Sequence, residues 1–105
     1  MMKKDFIKDD KEKLRYDLIP PEVLESLARV MTFGAKKYGD HNWKKGEKHR
    51  YRAAYYRHDI AEAKGELVDQ ESGFLHAEHK LCNAAFEYYI QLQKVKNSAP
   101  AKQKR

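Results

Sequence analysis

Two stretches with helical spacing, joined by a short connection, most constrain how this 105-residue chain can fold. The first stretch begins near residue 49 or 50 and ends at Lys64, with Gly65 as a helix stop. The second runs from about Phe74 to Lys96. One stripe of each predicted helix is expected to face inward: Tyr51, Ala54, Tyr55, His58, Ala61 and Glu62 on the first, and His76, His79, Asn83, Phe86 and Ile90 on the second. Because residues 66–73 form only a short connection, the two predicted helices must lie side by side and antiparallel.

A third helix is predicted earlier in the chain, from Pro21 to about Lys37. Proline suits the first position of a helix, and apolar residues follow at helical spacing until Gly39. Residues 13–20 read as an extended approach to this helix, and residues 39–46 as a loop rich in turn residues. No useful strand-like alternation occurs, so the predicted class is all-α, a small antiparallel bundle of three main helices.

The chain length predicts one small domain with little core to spare. We expect a flexible charged N-terminus over residues 1–12, a helical domain over 13–93 and a disordered basic tail over 94–105. A core this small favours completion by a homodimer or homotetramer. The lone Cys82 lies in an apolar helical pattern and is interpreted as packing. No apolar run is long enough to span a membrane, and the charged N-terminus does not resemble a signal peptide, so we expect a cytoplasmic protein without membrane contact.

The net charge of +6 is unevenly distributed. Residues 94–105 supply five of the six charges, and residues 14–93 are neutral overall. Within that domain, residues 36–57 carry eight basic and two acidic residues, whereas residues 58–80 carry two basic and six acidic ones. A basic segment followed by an acidic one suits a polyphosphate held by cationic side chains beside carboxylate-bound cations. The acidic half argues against a long nucleic acid.

Imidazoles and carboxylates concentrate in residues 57–83, with three of the five histidines and six of the sixteen acidic residues. On helices, residues three and four positions apart share a face, so these side chains form two short polar faces at the predicted helix junction. Such mixed donors suit Mn²⁺, Co²⁺, Ni²⁺ or Mg²⁺ better than a structural zinc site, which favours thiolates. The candidate metal ligands are His58, Glu62, Glu66, Asp69, His76 and His79. Alternatively, the histidines bond only to water or carbonyls, and the acids form a solvated face.

Other candidates also have an ordinary structural interpretation. Trp43, in a polar loop, either caps the small core or forms the wall of a nucleobase site. The lysines and arginines of the basic segment are either surface charges or phosphate contacts. The pair His58-Asp59 resembles the metal-binding pair of the HD phosphohydrolases, but that family needs further ligands on other helices.

Several motifs together resemble one family. RYDLIPPEVLESLARVMTFGAKKYGDHNW is followed by RYRAAYYRHDIAEAKGE, then DQESG and HAEHKLCNAAF. The combined pattern is similar to the phage-associated dATP/dGTP diphosphohydrolases, a MazG-like family, over roughly residues 13–92.

The resemblance implies an all-α, oligomeric hydrolase that uses divalent cations such as Mg²⁺, Mn²⁺ or Co²⁺. Its expected reaction turns a purine deoxynucleoside triphosphate into monophosphate and pyrophosphate. In the wider MazG group an E-x-x-E pair and an E-x-x-D pair hold the cations. This chain departs from that form, with Asp59-x-x-Glu62 and Glu66 on one helix but His76-x-x-His79 on the next.

Under this resemblance, residue roles follow as expectations. Glu62, Glu66 and Glu71 are the candidate catalytic carboxylates. The candidate substrate contacts comprise cations for the triphosphate, a loop pair for the base and an amide for the sugar: Lys13, Arg15, Lys36, Lys37, Asn42, Trp43, Arg57 and Asn83. Two alternatives stay open: a nucleotide-sequestering protein without turnover, and a nucleic-acid adaptor acting through the lysine-rich tail.

Overall fold

The computed structural model describes residues 7–98 as three helices with two short 3₁₀ turns. Helix α1 spans Pro21–Tyr38, α2 spans Lys48–Ala63 and α3 spans His76–Ser98. The 3₁₀ turns span Tyr16–Leu18 and Asn42–Lys45. No strand forms within residues 7–98, where Val68 and Leu75 make a single antiparallel bridge. The predicted all-α class is therefore confirmed.

Local sequence explains where these helices begin and end. Pro21 occupies the first turn of α1, and the Gly39 N–H donates to the Ala35 carbonyl at the other end, with φ of 96°. The predicted bounds of α1 and α2 differ from the structure by only one or two residues. Helix α3 begins at His76, also within two residues of the predicted start. The His76 N–H donates to the Leu67 carbonyl in the connection.

Two further predictions about the chain ends need correction or restriction. Helix α3 continues to Ser98, so residues 94–98 are helical, not part of a disordered tail. Their side chains keep helix-forming character until the Ala99-Pro100 sequence, where proline is incompatible with a continuing helix. Residues 1–6 and 99–105, which hold the rest of both predicted terminal segments, lie outside the described residues.

Helices α2 and α3 pack antiparallel along a seam with two different sides. On one side, polar pairs join Lys48 to Gln91, Arg52 to Glu87, and Lys80 to Glu62. On the other side, the rings of Tyr51 and Phe86 meet edge to face and the rings of His58 and His79 stack. The six residues predicted to share one stripe of α2 are all less exposed than the remainder of their turns: Tyr51, Ala54, Tyr55, His58, Ala61 and Glu62.

Helix α1 contacts the beginning of α3 and the connection that precedes it. The Phe33 and Phe74 rings meet edge to face with centroids 5.6 Å apart, and Arg29 pairs with Glu78. Lys37 forms an ion pair with Glu71. Between α1 and the α2–α3 pair lies an open cleft of about 1220 Å³.

The buried part of the fold is small and unusually polar. Within residues 7–98, the buried apolar side chains are Val30 and Cys82, whereas His76, Asn83 and Glu87 are buried polar ones. Cys82 is fully buried, and burial raises the pKa of its thiol to about 12, in agreement with a packing role. None of the helices described is long and apolar enough to cross a membrane.

The Arg52–Glu87 pair provides a test of the α2–α3 seam. Two guanidinium nitrogens of Arg52 donate to the two carboxylate oxygens of Glu87 at 2.6 and 2.8 Å, and the Glu87 side chain is only 10% exposed. We predict that Arg52→Ala lowers the free energy of unfolding, because the mostly buried carboxylate of Glu87 loses its charged hydrogen bonds. Urea unfolding measures this change. The control is Arg57→Ala, an exposed arginine on the same helix, and an equal loss there would contradict the interpretation.

Candidate functional site

The connection between α2 and α3 folds back on itself and carries part of the site. The Asp69 N–H donates to the Phe74 carbonyl at 2.8 Å, and the Gly73 N–H donates to the Asp69 carbonyl at 2.8 Å. Gly73 has φ of 80°, a backbone conformation that glycine adopts without steric cost. This turn fixes Asp69 close to the histidines of both helices.

His76 lies at the centre of a chain of three side chains. Its Nε2 is 2.8 Å from Glu66 Oε1, and its Nδ1 is 2.7 Å from His58 Nδ1. The carboxylate of Glu66 accepts, so His76 donates from Nε2. One proton joins the Nδ1 atoms of His58 and His76, and the tautomers of the two rings set the direction of donation.

A second group of hydrogen bonds fixes Asp69 and His79. The backbone N–H and the hydroxyl of Ser72 donate to Asp69 Oδ2 at 2.9 and 2.8 Å. Because the Ser72 hydroxyl uses its proton on Asp69, His79 Nε2 donates to Ser72 Oγ at 2.7 Å. The imidazole of His79 also stacks on that of His58, with centroids 4.4 Å apart and planes 3° from parallel.

The environment sets the charge state of these groups. Partial burial lowers the pKa of His58, and the neighbouring His79 adds to that effect. Burial also lowers the pKa of His79 and outweighs the opposite influence of Asp69. Burial alone would raise the pKa of Asp69, but the hydrogen bonds from Ser72 together hold it below its ordinary value. Near neutral pH, the site therefore combines neutral imidazoles with an ionised carboxylate.

One set of donor atoms is close enough to hold a single ion. One atom each of His58, Asp69 and His76 lies within 4.8 Å of the other two. Two imidazole nitrogens and one carboxylate oxygen match the donor preferences of Mn²⁺, Co²⁺ and related divalent ions. The residues present thus fit a divalent cation, with Glu66 and Ser72 orienting two of the three ligands.

The remaining predicted ligands and catalytic carboxylates occupy different surroundings. His79 and Glu66 contact the donor set through Ser72 and His76. Glu62 does not, because its carboxylate is 2.6 Å from Lys80 Nζ, which also binds Asp59 at 2.8 Å. His58 and Asp59 therefore have separate partners and do not act together as the HD comparison would require. Glu71 is exposed and pairs with Lys37.

Four of the predicted substrate contacts share the wall of the cleft. Asn42, Trp43, Arg57 and Asn83 all line it, together with His79 of the histidine group. Asn83 is buried, and its amide donates to the His79 carbonyl at 2.9 Å. The cleft thus adjoins the donor set at one end and the loop of residues 39–46 at the other.

Trp43 is packed against α3. Its ring is nearly parallel to Phe86 with centroids 4.5 Å apart, and it meets the Tyr89 ring edge to face. The Tyr51 hydroxyl donates to the Trp43 carbonyl at 2.6 Å, which fixes the loop. The contacts of Trp43 are therefore those of a residue that caps the small core, and its ring also forms part of the cleft wall.

The other predicted phosphate contacts lie outside the cleft. Lys13 and Arg15 are exposed in the segment before α1, and Arg15 pairs with Asp17 at 2.8 Å. Lys36 is exposed and lines a smaller groove on the other side of α1. Lys37 pairs with Glu71, as described above.

Sequence reasoning missed Ser72 and Lys80 as parts of the site. The spacing of Ser72 from Asp69 is typical of a side-chain-capped turn, and that turn orients His79. Lys80 follows His76 by one helical turn, and this spacing in the sequence indicates that Lys80 faces α2.

Comparison with known proteins gives a consistent result. The family model described as dATP/dGTP diphosphohydrolase, N-terminal, matches residues 3–99. A protein of Salmonella phage PMBT28 named dATP/dGTP diphosphohydrolase is 34% identical over 84 residues, which are 80% of this chain and 29% of that relative. The chain thus spans less than a third of the length of this curated relative. No solved structure matches the chain.

The lowered pKa values of His58 and His79 predict a pH-dependent stability. When the pH falls below the ordinary histidine pKa of 6.5, these two imidazoles bind protons in the unfolded chain but stay neutral in the folded one. Stability from this source is full above about pH 6.5 and is lost as the pH falls through the lower folded values. We predict that the melting temperature falls between about pH 7.5 and about pH 5. His58→Gln and His79→Gln should each flatten this slope, whereas the exposed His49→Gln is the control; an unchanged slope in both site variants would contradict the charge assignment.

Proposed function

Because this chain belongs to the family described as dATP/dGTP diphosphohydrolase, N-terminal, we propose that it binds a purine deoxynucleoside triphosphate beside a divalent cation. The proposed reaction releases the monophosphate and pyrophosphate. The activity named for the phage relative belongs to a longer protein. Its transfer to this chain is part of the proposal.

One observation carries the proposal: a donor set for a cation adjoins a cleft large enough for a nucleotide. The cleft volume of about 1220 Å³ exceeds the range of roughly 300–1,000 Å³ common for small-molecule sites. His79 connects the two features, since it lines the cleft and stacks on His58. A phosphate group near the cation would therefore leave the remainder of the nucleotide in the cleft.

The spacing of residues along α3 supports this orientation. His79, Asn83 and Phe86 all line the cleft. At 1.5 Å rise per residue, Asn83 lies about 6 Å and Phe86 about 10 Å beyond His79. These offsets suit a phosphate, a sugar and a base in that order. The aromatic end, with Trp43 stacked on Phe86, is apolar and would receive the base.

The cation, when bound by His58, Asp69 and His76, would polarise the phosphate and lower the pKa of a water bound to it. The residues of the chain have separate tasks. Glu66 accepts the Nε2–H of His76 and so orients that imidazole. Ser72 fixes the Asp69 carboxylate and orients His79. Arg57 is exposed and precedes His58 in the sequence, and its guanidinium group would neutralise the charge of phosphate oxygens.

A second candidate function is nucleotide sequestration without turnover. It is favoured by the pairing of Glu62 and Glu71 with lysines, which commits two of the three carboxylates predicted to be catalytic. A sequestering protein would retain an intact nucleotide, and chelation of the metal would not release it.

Self-association belongs to the same proposal. Within residues 7–98 many large apolar side chains are exposed, including Leu14, Tyr16, Leu18 and Leu24, all at least 65% exposed. The two buried apolar residues form a very small core by comparison. Association of two or more copies would cover part of this surface.

The direct test is a panel of dNTPs and NTPs with Mg²⁺, Mn²⁺ and Co²⁺, with products separated by ion exchange. We predict monophosphate and pyrophosphate from dATP and dGTP, and no products after chelation of the metal. Nucleoside with tripolyphosphate would contradict the proposed reaction. Intact nucleotide retained on the protein would favour sequestration.

A variant extends this test to the site. We predict that His79→Ala abolishes turnover while circular dichroism shows an intact helical fold, because the imidazole joins the cation site to the cleft. His49→Ala, on the exposed surface of α2, is the control. Wild-type turnover by His79→Ala would exclude this site.

A further inference from the structure

Gly34 is an unusual residue for the interior of α1. Glycine destabilises helices relative to alanine, and the residues that follow it in α1, Ala35, Lys36 and Lys37, are good helix formers. A glycine inside a helix therefore calls for a physical reason, either a positive φ or a close approach by another group.

The other four glycines of the chain have such a reason. Gly39, Gly65 and Gly73 have positive φ, and a Cβ at Gly46 would collide with the Tyr51 hydroxyl. Gly34 has neither feature. Its φ is not positive, and a Cβ built there would have no atom within 4 Å outside its own helix and chain neighbours.

The empty space next to Gly34 is the cleft. Gly34 lines it together with Val30 and Tyr38 of α1, opposite a wall that includes His79, Asn83 and Phe86. Within the described part of the chain, no atom outside the backbone of this stretch of α1 lies within 4 Å of a Cβ placed at Gly34.

We propose that Gly34 is a specificity-determining residue whose missing side chain leaves room for the bound nucleotide. This inference rests on the function proposed above and adds a residue that faces the ligand from α1. A larger side chain at this position would narrow the cleft without removing a ligand of the cation or a charge that meets phosphate.

The test measures dATP binding in the presence of Mn²⁺ by isothermal titration calorimetry, and Mn²⁺ binding alone by the same method. Gly34→Leu should weaken dATP binding by about tenfold or more, since a side chain would occupy ligand volume, while its Mn²⁺ binding stays at the wild-type level. Gly34→Ala should melt at a higher temperature than wild type and bind dATP to a similar extent. Glu25→Leu, which adds the same side chain to an exposed position of α1 outside this cleft, is the matched control.

Each other outcome has a defined meaning. Wild-type dATP affinity in Gly34→Leu would overturn the inference while leaving the proposed function intact. An altered assembly state of Gly34→Leu in light scattering, with unchanged affinity, would also overturn it and would indicate that a second copy packs on Gly34. Absence of dATP binding by the wild-type protein would refute the proposed function itself. If leucine impairs folding, Gly34→Met offers a flexible side chain of similar volume for the same comparison.

Discussion

The turn between α2 and α3 is the constraint on which the site depends. Its backbone bonds, from Asp69 to Phe74 and from His76 to Leu67, bring the end of one helix beside the start of the next. Those two helix ends carry His58 and His76, and the turn between them supplies Asp69 and Ser72. Without this closure, the two imidazoles would have no common neighbour, and the carboxylate would be an ordinary loop residue.

The site also occupies space that most small domains use for apolar packing. His76 and Asn83 are among the few buried residues of the described chain, and their hydrogen bonds to Glu66, His58 and the His79 carbonyl satisfy them there. Buried polar groups with satisfied partners specify one geometry but add little net stability. Because Val30 and Cys82 are the buried apolar residues of the part that the structure describes, the fold depends also on ion pairs such as Arg52–Glu87.

The spacing of residues along each helix predicted which of its sides faces inward. The stripe of α2 and the stripe of His76, His79, Asn83, Phe86 and Ile90 on α3 both face inward in the structure. The spacing along one helix could not predict which side chains of another element form ion pairs with it. Glu62 lies on the predicted face, yet its carboxylate binds Lys80 across the seam, and Glu71 binds Lys37 from a helix more than thirty residues earlier.

We propose that His58, Asp69 and His76 together hold a divalent cation at the end of a nucleotide cleft. Anomalous diffraction from crystals grown with Mn²⁺ and a non-hydrolysable dATP analogue tests this proposal. We predict a manganese peak among these three side chains, with the triphosphate beside it and the base toward Trp43. A peak at Asp59 and Glu62 with Lys80 displaced, or a nucleotide bound outside the cleft, would contradict it.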